Sequence, residues 1–238
     1  ALAHMNDTHS QFDPVNAELK GPLFGNQGEI DTLYTRLGGY PRLLTMTKAY
    51  QAEALAKNQP LLLLHGGDAW QGSGYFKLNE GMANAELLSQ FGLDAMALGN
   101  HEFDLDNQKL ARFIQGVNFP VLAANLDSRD DPDLSRASNL KPFVIYAFDG
   151  NQKSPVTDLD HLPADKQLVA VIGLVLEDMA NISPNVGKLR FAKEVASAQA
   201  TVDLLQARGI QRVVALTHIG NARDLALAAK VNGLDAIV

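Results

Sequence analysis

Cysteine is absent from the 238 residues, which excludes disulfides, thiolate nucleophiles and Cys-type zinc or iron–sulfur sites together. A basic surplus is missing as well. Lys and Arg number 20 against 27 Asp and Glu, a formal charge of −7, so nothing favours a nucleic-acid polymer or an anionic membrane surface as partner. No apolar run approaches the roughly 18 residues that span a bilayer, and the first residues lack the charged and apolar regions of a signal peptide. There is no Gly-x-Ser-x-Gly nucleophile elbow, no Gly-x-Gly-x-x-Gly and no Gly-x-x-x-x-Gly-Lys-Ser/Thr, so esterase, dinucleotide and P-loop sites are unsupported. What is present is ordinary for a packed chain of one or two domains: 46% hydrophobic and 20% charged residues.

Strand and helix patterns alternate. Ala1–Met5 suits a short first strand, and the Gly-, Asn-, Asp- and Pro-rich stretch up to Gly39, too polar and aperiodic for a core element, reads as functional or partly irregular. Apolar residues at helical spacing predict a helix over Tyr40–Lys57. Leu61–Leu64 reads as a buried parallel strand running into the turn His65-Gly66-Gly67. A helix over Gly81–Phe91, a strand over Asp94–Leu98, a helix over Asp106–Gln115 and a strand over Val121–Ala124 follow. The runs Phe143–Phe148 and Leu168–Leu176 predict a second sheet. The helix Ala192–Arg208 should end at Gly209, ahead of strand Arg212–Leu216, helix Arg223–Lys230 and strand Asp235–Val238. The order argues for a layered α/β sandwich whose chemistry lies where parallel strands end.

Four such strand ends carry metal-competent side chains: Asp7 and His9, Asp68, Asn100 and His101, and His218. Carboxylates, an amide and imidazoles without thiolates suit a hard or borderline divalent cation: Mn, Mg, Fe, Co or Zn. A carboxylate between two cations can bridge them, and Asp68 is the candidate. Each place has a plainer reading. Asp7-Thr8-His9 can be an Asx turn, Gly66-Gly67-Asp68 a tight turn, and His218 a structural histidine. Trp70, Tyr75 and Phe76 could form a stacking wall for a ligand, but suit core packing better. His65 and His161 are assigned to structure or solvent.

Taken in order, Asp7-x-His9, Gly67-Asp68, Gly99-Asn100-His101-Glu102 and His218 resemble the signature of the calcineurin-like metallophosphoesterases. The stretches Leu2–Ser10, Gly38-Gly39-Tyr40-Pro41-Arg42, Gly99–Asp104 and Leu216-Thr217-His218-Ile219-Gly220 are similar to the 5′-nucleotidase branch, with its UDP-sugar hydrolases and 2′,3′-cyclic phosphodiesterases. The resemblance implies two facing β-sheets flanked by helices, a four-layer sandwich with two metal ions between strand ends. Asp7, His9 and Asp68 would hold one ion, and Asp68, Asn100 and His218 the other. His101, paired with Asp104, would act near the leaving oxygen without ligating metal. Read on its own, Asp104 also suits an N-cap for the helix near Asp106. The implied reaction is attack of a metal-bound hydroxide on the phosphorus of a nucleotide. The family pattern continues with Gly-His-x-His and a C-terminal nucleotide-binding domain, so residues 1–238 read as a catalytic domain cut short of both, one ligand missing per metal. The branch is usually periplasmic or at the cell surface. Two alternatives remain: a non-catalytic metal- or phosphate-binding module, and a member acting on a non-nucleotide ester such as a sulfur ester.

Overall fold

The computed structural model describes residues 1–22 and 31–238. In chain order the first half comprises β1 (Leu2–Met5), β2 (Val15–Gly21), β3 (Asp31–Leu37), α1 (Tyr40–Ala56), β4 (Leu62–His65), α2 (Gly74–Asn79), α3 (Met82–Leu88), β5 (Ala95–Ala97), α4 (Asn107–Gly116) and β6 (Val121–Leu122). The second half comprises β7 (Leu126–Asp127), β8 (Leu140–Lys141), β9 (Phe143–Asp149), β10 (Gln152–Val156), β11 (Gln167–Val175), α5 (Met179–Ile182), β12 (Arg190–Phe191), α6 (Glu194–Ala207), β13 (Arg212–His218), α7 (Asn221–Lys230) and β14 (Ala236–Ile237). One five-stranded sheet has the order β1-β4-β5-β6-β8, parallel throughout. A second has the order β10-β9-β11-β13-β14.

Both faces of the central strands are buried, which is why they read as unbroken apolar runs. Side chains alternate across each strand. Leu62, Leu64, Ala95, Ala97 and Leu122 meet Val144, Tyr146, Phe148, Val171 and Leu216 between the sheets. Leu63, Met96 and Val121 point the other way, into a core shared with Tyr40, Leu88, Leu110 and Ile114 of α1, α3 and α4. Ile172, Val213 and Ala215 pack against Ala198, Val202, Leu205 and Leu227 of α6 and α7. The result is the expected helix–sheet–sheet–helix sandwich.

Local expectations are refined at several points. The polar stretch before Gly39 holds regular structure in part: β2 and β3 form an antiparallel ribbon from Val15 opposite Leu37 to Gly21 opposite Asp31, while residues 23–30 of that stretch lie outside the described ones. A ribbon exposed on both faces needs no apolar side, so its alternation was weak. The helix expected over Gly81–Phe91 begins at Met82, with a separate α2 before it. Glu80 (φ 50°) and Gly81 (φ 82°) turn left-handed between the two, and a Cβ on Gly81 would strike the Trp70 ring. The second sheet is mixed, because β9 and β10 pair antiparallel through Asp149-Gly150 (Gly150 φ 60°), with Pro155 in the edge strand that tolerates it. Asp104 does not cap α4; Asp106 does, accepting from the Lys109 amide at 2.9 Å.

The two sheets come into close contact at Gly173 of β11. Its carbonyl accepts from the Ala124 amide at 2.7 Å, and a Cβ there would run into the Leu122 backbone and side chain. Gly173→Ala is expected to push the sheets apart and destabilise the fold by about 1–3 kcal/mol in urea titrations. Gly21→Ala, with open space at its Cβ, serves as the near-neutral control; equal stability of the two variants would contradict this packing.

Candidate functional site

The carboxyl ends of β1, β4, β5 and β13 lie near one another, and the loops that leave them bring Asp7, His9, Asp68, His101 and His218 together. Parallel pairing of β1 with β4 continues past the strands as a backbone zipper: Gly66 N to Met5 O (2.8 Å), Asp7 N to Gly67 O (3.0 Å), His9 N to Asp68 O (3.1 Å) and Ser10 N to Ala69 O (2.9 Å). Following this path requires left-handed backbone at Asp7 (φ 51°), His9 (44°), Ser10 (51°), Asp68 (57°) and Gln71 (76°). Each such residue stores about 1–3 kcal/mol of strain, which persists only where the surroundings over-determine it. Two glycines make the close approach possible. A Cβ on Gly67 would meet Gly99 and His218, and one on Gly99 would meet the Asp68 carboxylate.

Asp68 is the hub. Its side chain is only 4% exposed; Oδ1 accepts the His101 amide at 2.9 Å, while Oδ2 lies 3.2 Å from His218 Nε2 and 4.0 Å from His9 Nε2. Asp7 Oδ1 is 3.5 Å from His9 Nε2. Among the described residues, two groups have donor atoms within 4.8 Å of one another: Asp7, Asp68 and His218, and His9, Asp68 and His101. The second group brings His101 among the donor atoms as well. Asn100 sits half-buried at the mouth of β5, between Gly99 and His101. A cavity of about 400 Å³ opens beside this cluster, lined by His4, Asn6, Asp7, Gly66, Thr217 and His218 among others.

The imidazoles are oriented by their far nitrogens. His9 Nδ1 donates to the Trp70 carbonyl at 2.9 Å and His218 Nδ1 to the Gly66 carbonyl at 2.7 Å, so each Nε2 faces the carboxylates as a metal ligand would. The donor set and this orientation fit divalent cations. His101 is held differently. Its Nδ1 donates to Asp104 Oδ2 at 2.8 Å, and the same oxygen accepts from Gln71 Nε2 at 2.7 Å. Burial would lower the His101 pKa, but Asp104 and the nearby carboxylates raise it above the ordinary value.

Glu102 had no role in the sequence reading, although it stands inside the quoted Gly99–Asp104 stretch. Fully buried, it accepts four backbone amides: Asp68 (2.9 Å) and Gly99 (2.7 Å) on Oε2, Ala69 (2.8 Å) and Trp70 (3.2 Å) on Oε1. Burial and the Asp68 charge push its pKa up while the amides pull it back. Since all four neighbours are donors, a proton on Glu102 would find no acceptor among them. An acid flanked by His and Phe after a glycine turn was the available signal. Trp70 and Phe76 are core residues, as the plainer reading had it, and Tyr75 reaches outward to Asp13 at 2.7 Å. His65 is buried structure; His161 is an exposed partner of Asp158.

Burial alone would lower the His218 pKa, but the hydrogen bond and charge of Asp68, with the Gly66 carbonyl, raise it to about 9. Burial likewise pushes Asp68 up, yet His218 and the His101 amide hold it below the usual carboxylate range. For a histidine raised on folding, the contribution is complete below the unfolded value of 6.5 and is lost as pH rises through about 9. In chelator, the urea midpoint should therefore fall between pH 6.5 and 9, and His218→Gln should remove that slope. A wild-type midpoint independent of pH across this window would contradict the pairing.

The calcineurin-like phosphoesterase family matches residues 1–238. The NAD 5′-nucleotidase of Haemophilus influenzae is 30% identical over 239 residues, covering 100% of this chain and 35% of that protein. The 5′-nucleotidase of Diplobatis ommata is 30% identical over 238 residues, covering 100% of this chain and 36% of that one. Among solved structures, the 5′-nucleotidase precursor of Thermus thermophilus superposes with a TM-score of 0.79 and 32% identity, over 99% of this chain and 40% of its own. The chain thus spans a little over a third of the length of the curated relatives it matches. With that match along its whole length and the sandwich beneath it, the chain belongs to the calcineurin-like phosphoesterase family.

Proposed function

We propose that this chain is the catalytic unit of a two-metal phosphoester hydrolase acting on nucleotides. The observation that carries the reading is the shared position of Asp68, one buried carboxylate within reach of two imidazoles whose other nitrogens are already tied to carbonyls. Asp7, His9 and Asp68 would hold one divalent cation, and Asp68, Asn100 and His218 the other. Asp7 groups with Asp68 and His218 and lies 3.5 Å from His9 Nε2, which supports its assignment as a ligand. When bound, paired cations neutralise phosphoryl oxygens and lower the pKa of water; whether Mn, Mg, Zn, Co or Fe serves is left to measurement.

The chain's own groups supply the rest. His101, its Nδ1 fixed on Asp104 and its pKa raised, holds a proton that Nε2 can give to the departing nucleoside oxygen. Gln71 keeps Asp104 in place by a second bond to the accepting oxygen. Asn100, at the tip of the turn, would steady a phosphoryl oxygen as well as a cation. A nucleotide substrate is supported by the names of the relatives, one of them a nucleotidase of NAD. Their greater length supports a second, nucleotide-holding domain in the working protein. The Thermus relative is described as a precursor, and export to the periplasm or cell surface is the location we attach to this reading.

The test is phosphate release from a panel of 5′-nucleotides, NAD, UDP-sugars and 2′,3′-cyclic nucleotides, with bound cation assayed alongside. Asp68→Ala should lose both cations and all turnover. His101→Ala should keep the cations and lose about 10²–10⁴ in kcat. Wild-type turnover and cation content in both variants would contradict the assignment.

A further inference from the structure

The motif Gly38-Gly39-Tyr40-Pro41-Arg42 opens α1, outside the site chemistry derived above. Gly39, at φ 86°, brings the helix start against Pro14, and the Tyr40 amide donates to the Phe12 carbonyl at 3.0 Å. The Tyr40 ring then packs edge-on against Phe12 and Phe91, with centroids 4.7 and 5.4 Å away. This aims its hydroxyl underneath the loops that carry Asp7, His9 and Asp68.

Five polar side chains meet there, none more than 8% exposed: Thr8, Ser10, Tyr40, His65 and Asn84. Gly67 N donates to His65 Nδ1 at 3.1 Å, so the neutral ring carries its proton on Nε2 and donates it to Thr8 Oγ1 at 3.1 Å. Thr8 Oγ1 also shares a hydrogen bond with Tyr40 Oη at 2.9 Å. Asn84 of α3 joins the same cluster: it accepts from Ser10 Oγ at 3.1 Å and donates to the Ala69 carbonyl at 2.6 Å. Burial keeps His65 neutral, with a pKa pushed down to about 4.

The relay touches each ligand loop twice, at Thr8 and Ser10 on one and at Gly67 and Ala69 on the other. These are neighbours of the residues that hold left-handed backbone, where strain needs outside support. We propose that Tyr40 and Asn84, reaching in from the outer helix layer, are positioning residues that lock the two ligand loops in their strained register, Tyr40 through Thr8 and His65 and Asn84 through Ser10 and the Ala69 carbonyl. Its consequence for cation binding rests on the function proposed above; the loop geometry does not.

Tyr40→Phe removes only the hydroxyl and keeps the ring packing, and Thr8→Val removes the central link at equal volume. In the cation-free protein, either change should speed hydrogen exchange in segments 7–10 and 67–70 by roughly fivefold to tenfold, with exchange in α6 and β13 unchanged. Mn²⁺ affinity by calorimetry should fall about tenfold. The double variant should be no worse than Thr8→Val alone, and Thr8→Ser, which keeps the hydroxyl, should restore both readouts. Unchanged loop exchange in both variants would overturn the proposal, as would faster exchange spread evenly over the chain or Mn²⁺ affinity that stays at wild type despite loosened loops. If wild type itself binds no Mn²⁺ while the loops respond as expected, the hydrolase reading fails and the positioning role stands.

Discussion

Two carboxylates divide the work of one turn. Glu102 is closed on all sides by backbone amides of the loop it anchors, whereas Asp68, a few ångströms away on that loop, keeps one oxygen open towards His9 and His218. Two buried negative charges so close repel each other, and neither would stay ionised without its compensation. Glu102 is compensated by four amides, Asp68 by imidazoles and the His101 amide, a deficit that a bound cation would fill. The glycines at 67 and 99, the left-handed residues of the ligand loops and the buried relay beneath them all serve to hold that pair of acids in register.

The layered architecture makes such a turn affordable. A parallel sheet delivers the ends of β1, β4 and β5 at one edge, and β13 of the second sheet brings His218 across the interface to meet them. Each fully buried aliphatic side chain between the layers, such as Leu64 or Leu216, contributes about 1.5–3 kcal/mol, which sets the strain of five left-handed residues within reach of the core's surplus. At the far end of the same sheets, Lys153 of β10 donates to Asp94 Oδ2 at 2.5 Å and to the Leu61 carbonyl at 2.6 Å, clamping the antiparallel edge of one sheet to the other.

Most of this was legible where the sequence had a physical reason to show it. Leu62–His65 and Val213–Leu216 are buried on both faces and announced themselves as apolar runs; Gly209, left-handed at φ 86°, ended α6 as its position predicted. The candidate ligand residues stood out because polar groups directly after such strands have few other uses. The β2–β3 ribbon stayed hidden because it buries little, and β10 because a charged, proline-bearing edge strand resembles a loop. Glu102, Gln71, Tyr40 and Asn84 act through backbone groups or through other side chains, and no spacing rule marks such contacts. The grouping of Asp7 with His218, and of His9 with His101, was likewise a matter of three-dimensional placement.

The central claim is that Asp68 is shared by two cation sites. Anomalous diffraction from crystals equilibrated with Mn²⁺ tests it most directly. Two peaks about 3.5–4 Å apart, both in contact with the Asp68 carboxylate, are the predicted result. A single peak, or peaks that leave Asp68 untouched, would contradict it.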